Sequence, residues 1–163
     1  MHYKCKHFFI VLNLGGLLLV KRAFLAAPFK QLLNQQGVVQ PLKIQEIKAM
    51  IALFEKHDFM VDNAHKREKW GEKMMTPKQC TIADYEAIKQ CDLFVAFPGN
   101  PASPGTHIEI GWASAHNKRI ILLLNEHDDY AYLIQGLKAI ANVTYLYYKS
   151  IDDSLLKMAE LLN

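Results

Sequence analysis

Residues 91–124 read CDLFVAFPGNPASPGTHIEIGWASAHNKRIILLL. The segment opens on an apolar run, residues 93–97, passes through a loop of glycines and prolines, continues with helical apolar spacing over residues 106–116, and ends in a second apolar run, residues 119–124. Near-continuous hydrophobicity in LFVAF and IILLL is what strands buried on both faces require, because each successive side chain meets a covering layer. A strand, a helix and a strand in that order predict parallel pairing through a right-handed crossover.

The same alternation extends outward in both directions. Further strands are expected at residues 20–26, 59–62 and 143–147, and helices at 44–56, 81–90, 130–139 and 152–162. Runs of this kind predict an α/β fold, a Rossmann-like (flavodoxin-like) three-layer sandwich with a five-stranded parallel sheet. Residues 30–43 and 64–78 carry Gly, Pro, Asn, Gln and many charges and read as long loops. Both follow the carboxyl end of a strand, where open α/β sheets place ligands.

With 163 residues, the chain can bury a substantial core without metals or disulfides. Residues 20–163 are expected to form one domain, preceded by an apolar extension at 1–19. Lys4 and Lys6 followed by the apolar run 8–20 have the outline of a signal peptide. Cleavage near Ala26 or Ala27 would cut into FLAAPF, residues 24–29, which the first strand and its loop need. Asn13, Gly15 and Gly16 also interrupt the run, leaving it too short for a comfortable membrane span. A strand and turn, or an extension packed on a partner subunit, are the alternatives.

A formal charge of +3 is compatible with an anionic small substrate. The cations are scattered, without the basic stripe expected of a nucleic-acid binder. Cys5, Cys80 and Cys91 form no metal-ligand spacing and suggest reduced thiols in a cytoplasmic protein. Neither nucleic acid nor membrane is therefore an expected partner, and no metal or cofactor is implied.

Chemistry concentrates after the third expected strand. Pro98, Gly99, Pro101, Pro104 and Gly105 set unusual backbone angles and bring N–H groups toward a ligand. Thr106 can cap the following helix, so that Ser103, Gly105 and Thr106 would cradle a phosphate at its positive end. An ordinary βα turn has the same composition. Glu109 is expected in the first turn of that helix among apolar neighbours. The dipole favours glutamate there in any protein, but this one would sit at the carboxyl edge of the sheet. Asp84, eight residues before Asp92, is expected at the same edge; a plain helix-start aspartate is the competing reading. Two carboxylates so placed suggest a nucleophile and a proton donor for opening a glycosidic bond. In the loop at 64–73, His65 and Trp70, with Glu68, are candidates to line a base pocket. Trp112 reads as helix packing or a dimer contact, and His107 and His116 as structural.

FLAAPF at 24–29, DYEAIKQCD at 84–92 and SPGTHIEIGWASA at 103–115 together resemble the nucleoside 2-deoxyribosyltransferase superfamily, in particular its nucleoside 5′-monophosphate N-glycosidase branch. The resemblance spans roughly residues 23–136. It implies that Glu109, within the pattern G-x-x-x-E-[LIV]-G-x-A, is a covalent nucleophile, that Asp84 contacts substrate and serves the leaving base, and that the enzyme is a homodimer or larger assembly. It also implies substrate contacts from Ala27, Phe29, Lys30, Gly99 and the residues of the loop. Ser103, six residues before the nucleophile, matches the monophosphate hydrolases, where a carboxylate would repel a 5′-phosphate and a hydroxyl can donate to it. Lys30 stands where that branch uses a cation. The chain departs from the pattern at Ala27, usually Gly, and near residues 131–135, where no clear match exists for a polar group lent by the neighbouring subunit. A 2-deoxyribosyltransferase acting on free nucleosides, or a non-catalytic nucleotide-binding module on the same fold, would share most of these features.

Overall fold

The computed structural model describes residues 20–28 and 41–163, together with the backbone of β1 (Leu12–Asn13) and β2 (Gly16–Leu17), which pair antiparallel. The expected contacts from Phe29 and Lys30, and most of the expected loop at 30–43, lie outside the described residues.

Five strands, β3 (Lys21–Ala26), β4 (Phe59–Asp62), β5 (Leu93–Ala96), β6 (Arg119–Asn125) and β7 (Val143–Tyr148), form one sheet in the order β4-β3-β5-β6-β7. Every pairing in it is parallel. The expected strands agree with these within a residue or so, and the chain order reverses beside β3. That reversal opens a crevice at the carboxyl ends of β3 and β5, the usual ligand position in such sheets.

Alternating side chains feed two cores. Leu25, Leu93, Val95, Ile121 and Leu123 pack on one face against α1 (Pro41–Lys56) and α6 (Ile151–Leu162), through Met50, Phe54 and Met158. Phe24, Phe94, Ile120 and Leu122 pack on the other against α3 (Pro77–Gln90) and α4 (Pro104–Ala115), through Ile88, Ile110 and Ala113. Each of the larger side chains contributes about 1.5–3 kcal/mol by leaving water. Phe24 and Phe94 stack across neighbouring strands with centroids 5.7 Å apart. The sheet is thus a rigid shelf, and the loops at its carboxyl edge inherit that rigidity.

The expected loop at 64–78 is in part helical. Asn63 caps α2 (Ala64–Arg67) by accepting from Lys66 N at 2.9 Å, and its amide donates to the Leu25 carbonyl at 2.9 Å, tying α2 to the end of β3. α3 begins at Pro77, because Thr76 and Gln79 form a reciprocal capping box and proline suits the first helical position. The last expected helix before β7 is a short one, α5 (Tyr132–Gly136), followed by a 3₁₀ turn at Leu137–Ala139. Among the described residues no helix is long and apolar enough to cross a membrane.

Candidate active site

The loop after β5 reaches α4 through a turn closed by Ser103 N donating to the Pro98 carbonyl at 3.1 Å. Gly99 adopts φ +84°, a conformation that glycine supplies without a side-chain clash. Ser103, rather than Thr106, is the cap of α4: its Oγ accepts from Thr106 N at 3.4 Å and from Thr106 Oγ1 at 3.1 Å. With its oxygen receiving both of these, the Ser103 hydroxyl keeps its own proton to donate elsewhere. Starting the helix at Pro104 moves Glu109 from the expected first turn into the second, so the helix dipole does little for it.

Glu109 lies in the wall of a cavity of about 720 Å³, which it shares with Asp84, His65, Ser103, Gly105, Thr106 and Ala27. These residues, all singled out in the sequence, converge on one space together with Glu68. Its volume is in the range of small-molecule sites. Among the described residues no hydrogen bond or ion pair ends on the Glu109 carboxylate, which faces the cavity rather than a structural partner. Burial first, and the nearby Asp84 carboxylate second, push the Glu109 pKa up to about 8, against a smaller opposing pull from Arg67.

Asp84 is the eighth residue of α3, buried inside the helix rather than near its start, which removes the helix-start reading. Arg67 Nη2 donates to Asp84 Oδ1 at 2.6 Å, and Cys80 Sγ, one turn earlier, donates to Oδ2 at 3.1 Å. So short an ion pair would lower the pKa by itself; desolvation of the buried carboxyl is larger, and the pKa is raised. The same environment pushes the Cys80 thiol up to about 12, mainly through burial and then its bond to Asp84. It is therefore a weak donor, not a nucleophile.

His65 is buried, and its Nε2–H donates to the Ala27 carbonyl at 3.1 Å; burial lowers its pKa and favours the neutral ring. Trp70 is placed differently from expectation. Its ring stacks near His65, packs on the core and lies beneath Lys48 Nζ at 4.9 Å, and it is not among the cavity-lining residues. Gly99 lines an adjoining cavity of about 600 Å³ that shares Ala27, Pro28 and Pro101 with the first. Trp112 does reach the first cavity, meeting Tyr85 edge-on at 5.5 Å. His107 Nδ1–H donates to the Ser103 carbonyl at 2.8 Å, and His116 packs against Tyr85.

Arg67 and Cys80 escaped the sequence reading as site residues, whereas Glu68, expected to line a base pocket, does line the cavity. Cys80 stands four residues before Asp84, a spacing that could have revealed it. Nothing separates Arg67 from Lys66 and Lys69 until α2 is recognised, for which Asn63 just after β4 was the available signal.

The family of nucleoside 2-deoxyribosyltransferases matches residues 21–150. Among solved structures, the CMP N-glycosidase BcmB of Clostridium botulinum is 47% identical over 85% of this chain and 98% of its own, with a TM-score of 0.67. BlsM is 41% identical over 88% and 90%, with a TM-score of 0.76. The 2-deoxyribosyltransferase of Bacillus psychrosaccharolyticus, 19% identical over 82% and 90% with a TM-score of 0.55, shares the fold. No curated protein matches. With a parallel sheet opening at its switch point onto a paired glutamate and aspartate, and with this family match over most of its length, the chain is an enzyme of the nucleoside 2-deoxyribosyltransferase family.

Proposed function

We propose that the protein hydrolyses the bond between base and sugar in a nucleoside 5′-monophosphate, with Glu109 as nucleophile. The observation that carries this reading is the Glu109 carboxylate in a cavity wall, without a neutralising partner among the described residues and beside a second buried carboxyl group. Similarity to a CMP N-glycosidase at 47% identity supports the activity and makes CMP the first substrate to try.

Two close carboxyls in a poorly solvated wall titrate as a pair, and near neutrality the pair retains one proton. The reactive form has that proton on Asp84 and the charge on Glu109. Glu109 Oε bonds to C1′ as the C1′–N bond breaks, and the proton passes to the departing base. Water then attacks C1′ and gives up a proton to the now ionised Asp84, Glu109 leaves as a carboxylate, and the sugar 5-phosphate is released. The spare Ser103 proton and the Gly105 N–H at the start of α4, where Pro104 has no N–H and Thr106 and His107 already donate to Ser103, suit the dianionic phosphate, as would Lys30. His65, held neutral, contributes shape and hydrogen bonding without adding a charge.

The test is incubation with the common ribo- and deoxyribonucleoside monophosphates, separately and with a foreign base, followed by chromatography. Free base and sugar phosphate without base exchange are expected. Exchange outrunning hydrolysis would identify a transferase instead, and ligand binding without base release would leave a nucleotide-binding module.

A further inference from the structure

Charges around the cavity come from four separate elements. Asp62 ends β4, Glu68 caps α2, Asp84 lies in α3 and Glu109 in α4. Asp62, Glu68 and Arg67 act electrostatically on Asp84, whose second oxygen takes the Cys80 bond; Asp84 and Arg67 act on Glu109. Asp62 in turn faces Arg22, Lys66 and Arg67, and neutral His65 lines the same cavity. Among the described residues, Arg67 is the cation that bears on both carboxyls of the pair.

Its geometry is unusual for a structural arginine. One nitrogen, Nη2, serves both Asp84 at 2.6 Å and Asp62 at 3.2 Å, while the buried Nε and Nη1 have no hydrogen-bond partner among the described residues. Buried donors are normally satisfied. A guanidinium held through one nitrogen between two carboxylates supplies charge at a chosen place more than it supplies hydrogen bonds.

We propose that Arg67 is a positioning residue, which pins Asp84 in the cavity wall and sets how much negative charge the Asp84–Glu109 pair can hold. The inference rests on the reading above of Glu109 as nucleophile and Asp84 as proton carrier. With Arg67 present, the pair can give up one proton and leave a carboxylate free to attack. Without it, both carboxyls remain protonated to higher pH and the nucleophile is lost under neutral conditions. Asp62 competes for the same guanidinium, so removing its charge has the opposite effect.

The experiment combines pH profiles of kcat/KM for release of cytosine from CMP with carbon-13 titration of labelled carboxyl groups, which needs no turnover. In Arg67→Met the rising limb and the Glu109 titration move to higher pH by about one pH unit. Arg67→Lys lies between that variant and wild type, and Asp62→Asn moves both readouts to lower pH by a smaller amount. A merely structural arginine would lower rates at every pH and leave the midpoints in place, and that result overturns the proposal, as do shifts of the same sign in Arg67→Met and Asp62→Asn. If Arg67→Met does not fold, the opposed shifts of Arg67→Lys and Asp62→Asn decide. Glu109→Gln is assayed in parallel: wild-type turnover there would defeat the nucleophile reading, whereas lost turnover with unmoved Arg67 midpoints defeats the Arg67 inference alone.

Discussion

A carboxylate in a cavity wall destabilises the fold at any pH where it must be ionised, and Glu109→Gln isolates that cost because glutamine keeps the shape and never ionises. The folded protein raises the Glu109 pKa from 4.5 to about 8. Between those values the unfolded chain has released a proton that the folded chain still binds, so stability falls by about 1.4 kcal/mol for each pH unit. Below pH 4.5 both states are protonated and the penalty vanishes; above about pH 8 both are ionised and it is constant. The whole interval would give about 5 kcal/mol, and the opening of the half-buried side chain onto the cavity reduces this to about 2–3 kcal/mol. Raised Asp62 and Asp84 occur in both proteins and largely cancel, while the Asp84 repulsion lost in the variant acts in the same direction. The Tm of Glu109→Gln should therefore gain on wild type by about 4–12 °C between pH 5 and pH 9. Scanning calorimetry of both proteins at each pH measures it. A Tm difference that stays flat, or shrinks toward alkaline pH, would refute the view that Glu109 is an electrostatically costly group kept for chemistry.

Two further substitutions test the anion end of the cavity. Gly105 is the second residue of α4, and a Cβ there would meet nothing within 4 Å, so Gly105→Ala should raise Tm by about 2 °C through lower backbone entropy of the unfolded chain. The same methyl intrudes where the phosphate would approach, so KM for the nucleotide should rise; an unchanged KM removes Gly105 from the site. Ser103→Asp preserves helix capping, since aspartate caps as well as serine, but sets a carboxylate against the phosphate. Nucleotide kcat/KM should drop about 10–100-fold with circular dichroism unchanged and activity on the free nucleoside spared; an equal loss on both substrates would mean that Ser103 does not face the phosphate.

The sheet was legible because LFVAF and IILLL are apolar at every position, a pattern that burial on both faces demands and little else explains. Glu109 was legible because an acidic residue stands out between Ile108 and Ile110 in a helix that must pack. The start of α3 was not: the TPKQ capping box at 76–79 lies in a charged, methionine-containing stretch without apolar periodicity, so only local hydrogen bonding marks it. The missed boundary concealed that Asp84 is deep in its helix. Trp70 misled for a related reason, since a polar sequence context suggested ligand stacking while a 3₁₀ turn after α2, Lys69–Gly71, folds the ring onto the core. Arg67 was out of reach because its importance comes from Asp62 and Asp84, brought together only by the pairing of β3 with β4 and the packing of α3 against the sheet.

The most direct measurement is the rate of cytosine release from CMP by Glu109→Gln relative to wild type, at pH 8 and with folding verified by thermal melting. Loss of the attacking carboxylate should reduce turnover at least about 1,000-fold while nucleotide binding persists, the scale expected when a group acts in the transition state. Turnover within about tenfold of wild type would contradict the assignment of Glu109 as the nucleophile.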